Sequence, residues 1–170
     1  MTEHQQRRDP APEGDARPPE RDRSRPMPRP GVWVADHPGA LVGWWHEAHG
    51  TTEEVAARIA GRLILDTVDF DGFTVRPDER PETVAAVANG IRQHGLAFAA
   101  WAEFHDADPA MLTSFAEHYL GHYDDPASMH GAIQRVREAD RQTANETELL
   151  FLDAPKGGTY LFAGPEHENP

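Results

Sequence analysis

An α+β fold is predicted by three features of the sequence. Short segments that alternate apolar and polar residues, with glycine at their turns, lie near both ends: GVWVAD (31–36), GALVGWWHEA (39–48) and TELLFLDAPKGGTYLFAG (147–164). Between them, from Pro81 to about Arg141, apolar residues recur at helical spacing, punctuated by Pro, Asp and Gly. The hydrophobic content, 38% of 170 residues, suffices for one domain or two small ones with a modest core. The expected arrangement is a small N-terminal antiparallel sheet with one helix, a central helical bundle and a short C-terminal β-hairpin.

Residues 1–30, MTEHQQRRDPAPEGDARPPERDRSRPMPRP, hold seven prolines, no aromatic residue and almost nothing apolar. Such a segment buries too little surface to offset its ordering entropy, so a disordered Arg/Pro-rich tail is expected. Its arginines have the chemistry to touch nucleic acid or an acidic surface, but an inert tail is the simpler expectation. Order is expected to begin at Gly31.

Residues 31–76 read as an N-terminal α/β subdomain. GVWVAD is a strand and GALVGWWHEA its partner, with Trp44 and Trp45 pointing to opposite faces. TTEEVAARIAGRL (51–63) is a helix whose first residue, Thr51, stands three before Glu54, the capping-box spacing. Val55, Ile59, Arg62 and Leu63 fall on one face. ILDTVDFDGFTV (64–75) alternates as strand structure around a turn at Asp71-Gly72.

Residues 77–141 read as an acidic helical subdomain of four helices. Pro81 opens the first, which ends at Gly95. LAFAAWAEF (96–104) is short and apolar on Leu96, Phe98, Trp101 and Phe104. Asp108-Pro109 starts the third, which Gly121 ends, and Asp125-Pro126 starts the fourth, which passes through Met129, Ile133 and Val136. Asp108 and Asp125 have the chemistry of N-caps ahead of Pro at N1. Residues 142–164 read as a β-hairpin around a Pro-Lys-Gly-Gly turn, and 165–170 as a tail. The four tryptophans, 33, 44, 45 and 101, are expected in the core.

Charge is unevenly placed. Residues 1–30 carry seven Arg against six acids, whereas residues 31–170 carry nine basic residues against 23 acids, a net of −14. Between Arg92 and Arg135 lie 42 residues without Lys or Arg but with six acids, Glu103, Asp106, Asp108, Glu117, Asp124 and Asp125. Such a body repels DNA and anionic membranes and attracts basic surfaces. No apolar run approaches 18 residues and no signal peptide opens the chain, so the cytoplasm is the expected location. With no cysteine there is no disulfide, thiolate site or thiol nucleophile.

Catalytic chemistry finds little support. His118 and His122 share a face only if the helix runs past Gly121, and HYLGH lacks the Glu of a zincin motif. Asp124 or Asp125 would have to complete such a site, with His46 and His49 distant in sequence. Ser24, Ser114 and Ser128 sit in no nucleophile elbow, and the glycines form no phosphate loop or dinucleotide fingerprint. No enzyme activity, metal or cofactor is expected.

Five segments, in order, carry a resemblance over residues 31–140. They are Gly39 to Trp45, the Glu53-Glu54 helix, DFDGF from Asp69 to Phe73, HGLAFAAW from His94 to Trp101, and YLGHYD from Tyr119 to Asp124. Together they resemble the ArdA antirestriction proteins. The resemblance implies an elongated, non-catalytic protein, encoded by a mobile genetic element, that mimics the charge of bent B-form DNA. Its implied partner is a type I restriction-modification enzyme, whose DNA-recognition and methyltransferase groove it occupies, with no direct DNA binding.

The carboxylates of Glu53, Glu54, Asp69, Asp71, Glu103, Asp106, Asp108, Glu117, Asp124 and Asp125 would supply the phosphate-like surface. Trp45, Phe70, Gly72, Phe73, Gly95, Trp101, Tyr119 and Gly121 would be the motif's structural residues. The resemblance also implies dimerisation through the C-terminal part, which here is shortened to Glu146, Glu148 and the closing strands, so a homodimer and a monomer both stay open. Duplex DNA carries one charge per roughly 1.7 Å of axis. A body of about 50 Å would thus face about 30 phosphates, which a net of −14 cannot match all round; it could match one DNA-binding face, or a dimer could double it. The alternative reading is a generic acidic interaction module for another basic, DNA-binding protein.

Overall fold

The computed structural model describes residues 28–143 and 146–164. Residues 1–27 of the expected tail, Ala144 and Asn145, and the closing segment 165–170 lie outside the described residues. The described chain is α+β, with two small antiparallel sheets and five helices. Ordered structure starts ahead of Gly31, because Pro30 is fully buried and Asp69 Oδ2 accepts from the Arg29 amide at 2.7 Å.

The first sheet has the order β2-β1-β3, with β1 (Gly31–Ala35) between β2 (Trp44–Glu47) and β3 (Leu63–Val68). Val32 and Val34 project into the core and Gly31 and Trp33 away from it, the two-residue period of a strand. α1 (Thr52–Ile59) is headed by the full Thr51–Glu54 capping box and buries Val55 and Ile59. It is shorter than the sequence suggests. Ala60 and Gly61 both take positive φ, so Arg62 and Leu63 leave the helix for β3. Beyond the Asp71-Gly72 turn the chain forms no further strand before α2.

α2 (Pro81–His94), α3 (Leu96–Phe104), α4 (Pro109–His118) and α5 (Pro126–Thr143) stand where the Pro, Gly and Asp punctuation places them. Asp108 accepts from the amides of Ala110 and Met111, and Asp125 from that of Ser128, so both cap as expected. The third helix is the exception: it stops at His118. Tyr119–Tyr123 is a strand, β4, that pairs with β6 (Thr159–Ala163). The C-terminal unit is therefore a three-stranded sheet, β4-β6-β5, with β5 at Leu149–Asp153, where a two-stranded hairpin was expected. Gly121, with φ +147°, sits inside this strand at a register irregularity.

α3 is apolar on all sides except at Glu103 in its last turn, and it lies between two cores. Ala99 and Ala102 join the first sheet, α1 and α2 in one cluster, while Ala97, Phe98 and Trp101 join Phe115, Tyr160 and Phe162 in the other. Trp101 is completely buried, stacks on Phe162 at 4.8 Å and donates from Nε1 to the Met111 carbonyl at 2.7 Å. The other tryptophans are not core. Trp44 and Trp45 are about half exposed, since β2 is an edge strand and Trp45 lies on the outer face of the sheet.

Gly90 marks the contact of α2 with α3, where a methyl group would overlap the ring of Phe98. Gly90→Ala gains about 1 kcal/mol of helix propensity but meets an overpacking cost of about 1–3 kcal/mol, so a net loss of up to about 2 kcal/mol is expected. Urea denaturation should show a lower midpoint. A higher one would mean that the Phe98 ring yields at no cost.

Candidate acidic interaction surface

Of the ten carboxylates that the sequence nominates, nine are exposed, and Asp69 is half-buried. Their local duties differ. Glu54 closes the capping box, and Asp108 and Asp125 cap helices. Asp69 holds the Arg29 amide, and Glu103 Oε2 accepts from the Thr74 amide at 2.8 Å. Asp69 (φ 58°) and Asp106 (φ 51°) also take left-handed conformations, which Asp tolerates better than most residues. Glu117 on the last turn of α4 and Asp124 after β4 are exposed, with Asp124 Oδ1 3.4 Å from His122 Nε2.

Two adjoining depressions collect part of this charge. Asp69, Asp71 and Glu103 line one, around the turn from Thr67 to Thr74. Glu103 and Asp106 line the next, opposite Glu79, Arg76 and Arg80. The run of sequence without Lys or Arg is thus not a surface without them. Arg76 pairs with Glu79 at 3.2 Å and is held in its charged form chiefly by that contact, with Asp106 and Asp78 adding to it. Lys156 Nζ stands 3.9 Å from Asp71 Oδ2. Glu53 and Glu54 lie on the first turn of α1, outside both depressions.

The histidine pair is divided between two elements. His118 closes α4 and its Nδ1 bonds the Ala163 carbonyl at 3.0 Å, while His122 on β4 bonds the Gly157 carbonyl through Nε2 at 3.0 Å. Among the described residues no three His, Asp or Glu side chains converge as metal ligands would. The motif residues divide as well. Phe70 and Trp101 are core, Phe73 and Tyr119 pack against it, and Trp45 is surface. Gly72 (φ +98°) lets its turn approach Pro155 and the Ala100 amide, and Gly95 (φ +80°) joins α2 to α3.

Two features escaped the sequence reading. Asp140 is the only buried charged residue among those described, and it accepts from the Thr147 amide and hydroxyl and from Arg137, tying α5 to the start of β5. Thr147 holds its carboxyl below the usual carboxylate range. His105, next to Asp106, is wedged against Trp101 and Phe104 at 4.1 and 4.9 Å. Its Nε2 is buried without a hydrogen-bond partner among the described residues.

Compared with protein-family models, curated proteins and solved structures, the chain matches none. No described helix is long and apolar enough to cross a membrane.

Burial, and secondarily His118, lowers the His105 pKa below its ordinary 6.5, against a smaller opposing pull from Asp108. The unfolded chain therefore takes up this proton first, so the stability is fully present above pH 6.5 and is lost as pH falls toward the folded value. Asp125, held down by Ser128, and Asp140 are also depressed, and their contribution is present above pH 3.8 and lost below it. Urea midpoints should decline in two steps, and His105→Gln should remove the upper one. A wild-type midpoint that stays flat from neutral pH down to that of acetate buffer would contradict this role for His105.

Proposed function

We propose that this chain is a non-catalytic antirestriction protein. In this reading its acidic surface takes the place of DNA in the groove of a type I restriction-modification enzyme. The observation that carries the reading is the placement of charge: a net of −14 over residues 31–170, with nine of ten nominated carboxylates exposed. Exposed carboxylates in such number attract a basic groove and raise the rate of encounter with it. The order of the five motif segments supplies the choice of partner. The depressions that run from Asp69 through Glu103 to Asp106 gather four of these carboxylates, with Asp71, on one stretch of surface.

Arg76, Arg80 and Lys156 favour a second reading, an acidic module for some other basic protein, because they interrupt the negative line. The two readings differ in the partner bound, a type I restriction-modification enzyme or another basic, DNA-binding protein, not in the chemistry of the contact.

Neutralisation tests both readings against an active site. Asp106→Asn, Glu117→Gln and Asp124→Asn remove exposed charges outside the caps, and each should weaken inhibition by about 0.2–1 kcal/mol, cumulatively. Glu103→Gln is kept apart, because it also disturbs the Thr74 amide. The triple variant should keep its circular-dichroism spectrum and lose more inhibition than any single one. A single carboxylate whose loss abolishes activity in a folded variant would point to catalysis.

A further inference from the structure

The outer face of the first sheet carries an aromatic trough. Trp33 on β1 faces outward opposite Trp45 on β2, and their rings meet edge to face at 5.6 Å. Gly31 forms the floor: a Cβ there would stand 3.1 Å from Val68 Cγ1 and 3.9 Å from Trp45 Cε3. Trp45 and Val68 are 50% and 47% exposed, so the trough is open on their side, while Gly43 packs against the pyrrole edge of the half-buried Trp33. Cross-strand register places Glu47 opposite Gly31 and Asp66 opposite Trp33, both exposed, so the apolar strip has a carboxylate on each flank.

The chain enters β1 at the Gly31 end of this trough, and the 27 residues that precede Pro28 continue from there. Residues 17–27, RPPERDRSRPM, hold four Arg, three Pro and two acids. We propose that this Arg/Pro segment docks on the trough of its own chain, with prolines against the indoles and arginines toward Glu47 and Asp66. Proline-rich segments dock on aromatic-lined grooves because their extended helix is preformed and loses little entropy. Arginine adds attraction to indole faces, as Arg62 already shows, with its guanidinium 5.1 Å from the Trp44 ring.

Reach and charge favour this occupant. Trp33 lies only two strand residues past Gly31, about 7 Å, and an extended Pro-rich segment covers about 3.1 Å per residue. A tether this short raises the effective concentration to the millimolar range, so a weak contact suffices. A second copy presenting this same face would add its own Glu47 and Asp66 to the two already there, and nucleic acid would meet them with phosphate; both contacts set like charges together.

The absence of cysteine makes the test direct. Ser24→Cys in the full chain accepts a single nitroxide, and the four indole N–H signals are read by nuclear magnetic resonance. The Trp33 and Trp45 signals should be broadened far more than that of Trp101. Replacing Arg21, Arg23 and Arg25 with Gln at unchanged tether length should restore both signals by about twofold or more, as should about 1 M salt. Equal broadening in the Arg and Gln chains would mean that the tail passes nearby through its tether alone, and would overturn the proposal. So would broadening of an unlabelled chain by a separate labelled copy, which would assign the trough to a second molecule.

Discussion

The burial of Trp101 is the constraint on which the remaining structure depends. Its ring fills the C-terminal core, stacks on Phe162 of β6 and lies beside Phe115 of α4. Its Nε1 needs a partner when removed from water, and the Met111 carbonyl supplies it, which fixes where the first turn of α4 runs. The alanines on the other side of α3 let the first sheet, α1 and α2 approach closely. One nine-residue helix thereby joins two sheets that share no strand. In the second depression Glu103 lies on the last turn of this helix and Asp106 two residues past its end, opposite Glu79.

The acidic residues serve the fold as well as the surface. Glu54, Asp69, Glu103, Asp108, Asp125 and Asp140 each accept a backbone amide, satisfying donors that helix ends and turns leave open. Exposed caps keep most of their charge available to a partner. Neutralising a carboxylate with two duties disturbs fold and charge together, and for that reason Asp106, Glu117 and Asp124 are the positions at which the proposed contact is tested. Arg76, Arg80 and Lys156 mark where a basic partner would be repelled, so the usable negative face is smaller than the net charge suggests.

Much of the fold was legible in the sequence because its signals are local. Thr51 with Glu54, Pro81, Gly95, Asp108-Pro109 and Asp125-Pro126 each fix a helix boundary through neighbours within a turn. β4 was not legible. Tyr119–Tyr123 continues a helical pattern, and what makes it a strand is β6, some forty residues later in the chain. Three of the four tryptophans expected in the core lie outside it: in VWV the valines claim the core, which turns Trp33 outward, and Trp44 and Trp45 sit on an edge strand. The contact of Arg76 and Arg80 with the Glu103–Asp106 surface was invisible for the same reason as β4, since the loop that carries them lies over twenty residues earlier. Spacing along the chain showed that a region lacks basic residues but not what folds against it.

On the proposed function, the protein competes with DNA for one groove. The most direct measurement is displacement of fluorescent duplex DNA from a purified type I methyltransferase core across a range of salt. Full displacement is expected at low salt, with an affinity that falls as salt rises but less steeply than that of DNA, because the protein releases few condensed counterions. Ternary complexes, or an affinity indifferent to salt, would contradict it.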